Sequence, residues 1–177
     1  MRVETRAQHD AIELSLDWQA RASDRSRYRR WLERLYGYHR DWEPAVAVAL
    51  ADPAFVDPRR KLHLLADDLA RLGLSAERLG GLPRADAPMR FGNEAEALGS
   101  MYVLEGATLG GKLIARHVAE RLEHAPAYHD PYNARSGPMW GSFQDALERR
   151  LNTTEAQDVA VRTANLTFGH LRSWLQG

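Results

Sequence analysis

Apolar residues recur along this chain at three- and four-residue intervals, in long segments separated by turn signals. That is the repeat of helices with one face in a core. No alternating or β-branched run is long enough to make a sheet. The pattern predicts a first helix over about residues 2–20. Ser23-Asp24 then precedes a second, YRRWLERLYGYHRDW, and Pro44 should bend or break it before AVAVAL resumes. Asp57-Pro58 opens a third helix through KLHLLADDLARL, ended by Gly73. The stretch GGLPRADAPMRFG, Gly80 to Gly92, is the clearest internal loop and reads as a hinge within one unit.

A long helix follows from about Asn93 to Glu123, then the loop HAPAYHDPYNARSGP and a shorter helix from Phe143 to Leu151. Thr154 with Gln157 reads as a capping box for a last helix reaching Leu175. There is no internal repeat and no low-complexity tract. At 177 residues the chain is long enough for one sizeable core. The expectation is an all-α, single-domain, compact helical bundle spanning residues 1–177.

Composition narrows the chemistry by exclusion. Lys+Arg and Asp+Glu both total 24, so no excess of basic charge points to a nucleic-acid partner. Cysteine is absent, which removes disulfides, thiolate zinc sites, iron–sulfur clusters and cysteine nucleophiles together. The opening MRVETRAQHD is polar, and no segment approaches the roughly 20 apolar residues of a membrane span. A soluble, cytoplasmic protein with no membrane partner is expected.

The segment EGATLGGKL, Glu105 to Leu113, changes the picture. From Gly106 to Lys112 it fits G-x-x-x-x-G-K, the phosphate-cradling loop. Leu113, however, stands where a Ser or Thr should hold magnesium, and the preceding NEAEALGSMYVLE is helical rather than a buried strand. As a helix, the segment puts Gly99, Tyr102, Gly106, Gly110 and Leu113 on one face. Val103, Ala107, Gly110, Ile114 and Val118 form an adjoining apolar stripe, so little of this helix should face water. Each interior glycine costs roughly 0.8–1 kcal/mol against alanine, so Gly99, Gly106, Gly110 and Gly111 sum to about 3–4 kcal/mol. Two readings account for the cost. One is close helix–helix contact over small residues. The other is a helix baring its backbone to a flat ligand, since Gly106 to Gly110 spans about 6 Å.

A metallated planar ring would also need an axial ligand, and without cysteine a histidine leads. The chain has His9, His39, His63, His117, His124, His129 and His170. No H-E-x-x-H occurs. His39 with Glu43 and His63 with Asp67 read as ordinary pairs on helix surfaces. His9 is better placed, with Glu13 one turn on and Arg2 two turns back, near one helix face. A guanidinium at Arg2 suits an acidic substituent on the ring edge. The alternative is an amphipathic helix whose polar face happens to carry these residues.

Taken together, ETRAQHDAIE at the N-terminus and MYVLEGATLGGKLIARHV from Met101 resemble the heme oxygenase family in its bacterial branch. The ending TFGHLRSWL fits the aromatic-x-x-apolar-x-x-Trp-Leu pattern common there. The resemblance covers nearly the whole chain. It implies a helical bundle with heme, both substrate and cofactor, held between the first helix and the glycine-bearing helix. His9 matches the proximal iron ligand, with Glu13 a candidate orienting partner. Gly106 and Gly110 match the distal glycines where the helix kinks over the iron. Arg2 and Tyr102 match positions near the heme propionates.

The oxidoreductase activity implied is opening of heme to biliverdin, CO and ferrous iron. It uses O2 and electrons from a reductase or ferredoxin, and the product could serve a bilin-binding photoreceptor. Two departures stand out. Ala107 replaces an aspartate that organises distal water in many members, and Gln144 and Glu148 occupy positions that are basic in some relatives. Arg149 and Arg150 lie beside these but project differently. The departures suit an alternative, a non-catalytic heme- or bilin-binding carrier or sensor of the same fold. A plain bundle acting through protein contacts is the third reading.

Overall fold

The computed structural model describes residues 1–85, 90–123 and 125–177. His124 and residues 86–89 of the Gly80–Gly92 loop lie outside the described residues. The helices are α1 (Arg6–Leu16), α2 (Trp18–Arg21), α3 (Arg25–Leu50), α4 (Pro53–Val56), α5 (Leu62–Arg71), α6 (Ala76–Gly80), α7 (Glu94–Leu122), α8 (Ser136–Arg150) and α9 (Thr154–Gln176). Among the described residues there is no strand, as the periodicity predicts.

The long helices α3, α7 and α9 form the centre. α9 lies along α7 and also carries α1, α3 packs against α5, α7 and α9, and α8 rests on α7. In α3 the buried series Tyr28, Trp31, Leu32, Leu35, Tyr38, Trp42, Val46 and Leu50 follows the helical repeat for its whole length. Asp24 starts this helix by accepting the N–H groups of Ser26 and Arg27, each at 2.9 Å. Pro44 does not break it. The proline is exposed, and burial of Trp42 and Val46 on either side holds the helix through it. At the centre Trp42 donates its indole N–H to Ser100 Oγ at 2.8 Å, and Thr167 Oγ1 lies 3.0 Å from the same oxygen. One hydroxyl therefore ties α3, α7 and α9 together. At the far end the Trp174 indole N–H reaches the Arg34 carbonyl at 2.7 Å, and the Arg34 guanidinium lies 3.5 Å over the Trp174 ring.

Five boundaries differ from the sequence expectation, each for a local reason. The first helix begins at Arg6, after a turn closed by Thr5 N–H on the Met1 carbonyl at 3.0 Å. It stops at Asp17, which takes a left-handed φ of 35° and whose carboxylate then accepts the N–H of Ala20 to start α2. Asp57-Pro58 forms a 3-10 turn, and α5 starts only at Leu62. α8 begins at Ser136, seven residues before Phe143, so the expected loop is shorter. Thr153, not Thr154, caps α9 through the N–H of Ala156, while the Gln157 amide turns back to the Leu151 carbonyl at 2.9 Å. No helix among the described residues is long and apolar enough to cross a membrane.

Candidate functional site

The glycines of α7 divide into two kinds that spacing alone does not separate. A Cβ on Gly99 would fall inside the backbone of Ala160 on α9, and one on Gly111 inside the carbonyl of His129. These two exist for close packing. A Cβ on Gly106 would make ordinary contact with the Trp140 ring at 3.7 Å, and one on Gly110 would meet nothing within 4 Å. Gly110, Ala107, Leu109 and Leu113 are exposed, Leu113 at 62%. The middle of α7 therefore bares backbone and apolar side chains, contrary to the expectation that little of it faces water. Close packing is therefore not the reason for glycine at 110.

α7 is one continuous helix from Glu94 to Leu122. Within the bare stretch the Thr108 hydroxyl donates to the Glu105 carbonyl at 2.7 Å, competing with the helical ladder where glycines make it most pliable. Tyr102 is half-buried, its ring 5.6 Å from that of Trp140, so Trp140 covers one end of the bare stretch. Trp140 follows no pattern that sequence inspection would single out. It is found only because α8 starts early enough to bring it over Gly106.

α1, which also packs on α9, presents His9 with its side chain 52% exposed. One edge of the ring rests against Phe168 of α9 at 5.8 Å. Its Nε2 lies 3.6 Å from Glu13 Oε1 and its Nδ1 3.8 Å from Asp10 Oδ1, so both ring nitrogens face carboxylates of their own helix. The ligand atoms of His9, Asp10 and Glu13 all lie within 4.8 Å of one another, an arrangement able to hold a metal through an imidazole nitrogen. Glu13 thus stands where the sequence places it. Arg2 does not share the helix face of His9, because α1 starts four residues later. It is exposed and enters no ion pair among the described residues.

The two walls are joined through the helix both rest on. α1 and α7 each pack along α9, and Trp18 of α2 closes on His117 of α7 with ring centroids 5.2 Å apart. The His9 side and the Gly106–Gly110 side form open faces rather than a closed chamber. A cavity of about 520 Å³ lies elsewhere, lined by Arg21, Arg27, Trp31, Arg34 and Gly177 among others, and none of the predicted site residues borders it.

Behind α7 stands a buried polar network that the sequence reading missed. His39 and Glu43 are not a surface pair: both are buried, with Nδ1 3.1 Å from Glu43 Oε1. Burial lowers the His39 pKa despite the opposing pull of Glu43. The neutral ring therefore donates from Nδ1 to Glu43, and Nε2 accepts from the Tyr128 hydroxyl at 3.0 Å. Burial pushes Glu43 up, but the hydrogen bond from His39 and the N–H groups of Lys61 and Leu62 outweigh it, leaving the carboxyl lowered. Lys61, also buried, bonds through its ammonium to the Arg59 carbonyl at 3.1 Å and to Glu105 Oε1. Glu105 further accepts from the Tyr132 hydroxyl at 3.0 and 3.1 Å. Buried charges need such partners, and here they have them. The i,i+4 spacing of His39 and Glu43 was visible in the sequence, but its burial was not.

On α8, Gln144, Glu148 and Arg149 are exposed, whereas Arg150 is committed to Glu94 at 2.9 Å and to Asp52. His63 and Asp67 are exposed.

Comparison with known proteins bears on the family and the fold. The family model described as "Heme oxygenase" matches residues 1–177. A curated relative from Xanthomonas campestris pv. campestris (strain 8004), named "Heme oxygenase", is 35% identical over 121 residues, covering 66% of this chain and 68% of its own. The solved NO- and CO-bound heme oxygenase from Neisseria meningitidis has the same fold, with a TM-score of 0.81 over 99% of this chain and 87% of that one, at 21% identity.

Proposed function

The chain belongs to the heme oxygenase family, and from that premise we propose that it opens heme oxidatively to biliverdin, CO and ferrous iron. The observation that carries the reading is the bare stretch of α7. Gly110 has no protein atom to meet, and Gly106 has only the face of an indole, so the helix keeps a costly backbone surface free on the side where a flat ring can lie.

The residues fit the substrate. His9 offers an exposed imidazole for the iron, and Glu13 and Asp10 stand beside its two nitrogens, so a carboxylate is at hand to accept the N–H of whichever nitrogen the iron leaves free. Leu109 and Leu113 supply apolar area beside the bare backbone. Arg2 and Tyr102 are the proposed partners of the propionates, and Arg2 is available for this because no other residue among those described engages it in an ion pair. When bound, heme supplies the iron that activates O2, and the ring is itself the bond-breaking target. The chain's own part is to bind and orient the ring, to leave room above it at Gly106 and Gly110, and to exclude bulk water. The proposed partners are a separate electron donor, a reductase or a ferredoxin, and the proposed compartment is the cytoplasm; delivery of the product to a bilin-binding photoreceptor is a use the same reaction would serve.

Ala107 provides no carboxylate on the exposed side of α7, so protons reach the ligand side through water or through other groups. Against the carrier that Ala107, Gln144 and Glu148 suit, the family model and the curated relative are both named for the oxygenase. The test is to add ferric heme to the purified protein and supply ascorbate in air. Formation of biliverdin bears the reading out, and a stable heme complex after full reduction sinks it.

A further inference from the structure

The bare stretch of α7 is fastened from behind at two points, and both fastenings lead to one short segment. On its N-terminal side the buried Glu105 carboxylate takes the Tyr132 hydroxyl at 3.0 and 3.1 Å, the Lys61 ammonium, and Arg59 Nε at 3.6 Å. On its C-terminal side Gly111 lies so close to the carbonyl of His129 that no side chain fits between them. Gly106 and Gly110 sit between these anchors, within a span of about 9 Å of helix.

Residues 126–132 are themselves held firmly. Asp68 of α5 accepts the N–H groups of Ala127 at 3.0 Å and Tyr128 at 2.9 Å. The Tyr128 hydroxyl reaches His39 of α3, and the His129 ring packs 4.9 Å from Trp31. A glycine-rich stretch of helix has little stiffness of its own, so its position follows from what grips its ends.

We propose that residues 126–132 form a brace that sets the height of the Gly106–Gly110 backbone over its ligand, with Glu105 and Tyr132 as positioning residues. The ligand half of this rests on the heme reading above; the backbone half does not. The brace acts through main chain, since Glu105 and Tyr132 are both buried whereas Gly110 is exposed. It joins α3 and α5 to the ligand wall without touching the ligand.

The first experiment uses the heme-free protein. Amide hydrogen exchange is compared along α7 in Tyr132→Phe, which removes one oxygen, and in Glu105→Gln. Exchange at 106–111 should rise about tenfold relative to 97–103 of the same helix. A uniform change along α7, or none, overturns the brace. If Glu105→Gln does not fold, Tyr132→Phe decides alone. The second experiment adds ferric heme to Tyr132→Phe. Affinity should stay within about twofold of the parent, because the His9 wall is unchanged, while the proportions of biliverdin isomers shift. Affinity falling in step with rate at constant isomer proportions marks a merely structural role and overturns the positioning claim. A parent protein that binds heme without converting it defeats the functional reading instead, and the exchange result still decides the brace.

Discussion

Replacing Gly110 by alanine should make the heme-free protein more stable and the heme enzyme worse. The added Cβ would meet no protein atom within 4 Å, so neither clash nor strain opposes it. What remains is the intrinsic preference of a helix interior for alanine, about 0.8–1 kcal/mol. For a chain of this length that corresponds to a rise in Tm of about 2–4 °C. Gly111→Ala, one residue on, should do the reverse. Its Cβ would fall inside the His129 carbonyl, and the shift needed to relieve that costs about 1–3 kcal/mol. Urea unfolding of both variants followed by circular dichroism gives the two signs directly. Heme conversion should fall at least about tenfold in Gly110→Ala, because a methyl group there occupies the space the ligand side requires. Loss of stability in Gly110→Ala would refute the placement of that residue in open space. A stabilised variant converting heme at the parent rate would refute the claim that the bare face is the ligand wall.

Acid should destabilise the protein before its carboxylates titrate. Burial holds the His129 pKa down to about 3, and burial likewise lowers His39, both from the ordinary imidazole value of 6.5. Between those pH values the unfolded chain binds protons that the folded one refuses, so stability is full above pH ~6.5 and falls below it. From pH 7 to pH 5 the loss assigned to His129 is about 1–2 kcal/mol, and His129→Gln should flatten the decline in urea midpoint; equal slopes in parent and variant contradict this. Lys61→Met leaves the Glu105 carboxylate buried without its ammonium and should cost about 3–5 kcal/mol, much of it restored by adding Glu105→Leu. A single variant as stable as the parent would show that the pair is not buried as described. Asp24→Ala removes the cap of α3 and should cost about 1 kcal/mol in the same assay, with heme conversion unaffected.

The helical architecture was legible because its signal is periodic and long. α3, α7 and α9 are each longer than twenty residues and bury apolar positions at helical spacing, and Asn93 marks the start of α7 by its side chain. Boundaries were legible only where one residue decides them. Pro44 misled because a proline on the exposed side of a well-buried helix costs one hydrogen bond, and the packing of Trp42 and Val46 outweighs that. Asp17 gave no warning, since a left-handed residue other than glycine has no sequence signature.

At the site, His9 and the glycine-rich helix could be singled out from the sequence as candidates, but the division of labour among the glycines could not. Gly99, Gly106, Gly110 and Gly111 look alike as letters, and only the approach of Ala160 and His129 tells packing glycines from open ones. Glu105 is one more acid in the sequence until three partners from distant segments, Arg59, Lys61 and Tyr132, are seen to converge on it. Trp140 became visible only with the true start of α8.

The central claim is that the His9 face and the bare α7 stretch together hold heme for its own destruction. Stepwise addition of ferric heme to the purified protein, followed by ascorbate in air, tests this in a single cuvette. The parent should develop a Soret band that saturates at one heme per chain and then gives way to the broad red absorption of biliverdin; in His9→Ala that Soret band should be shifted or weakened. A parent that leaves the Soret band intact under reductant and oxygen, or a His9→Ala variant with an unchanged spectrum, contradicts the claim.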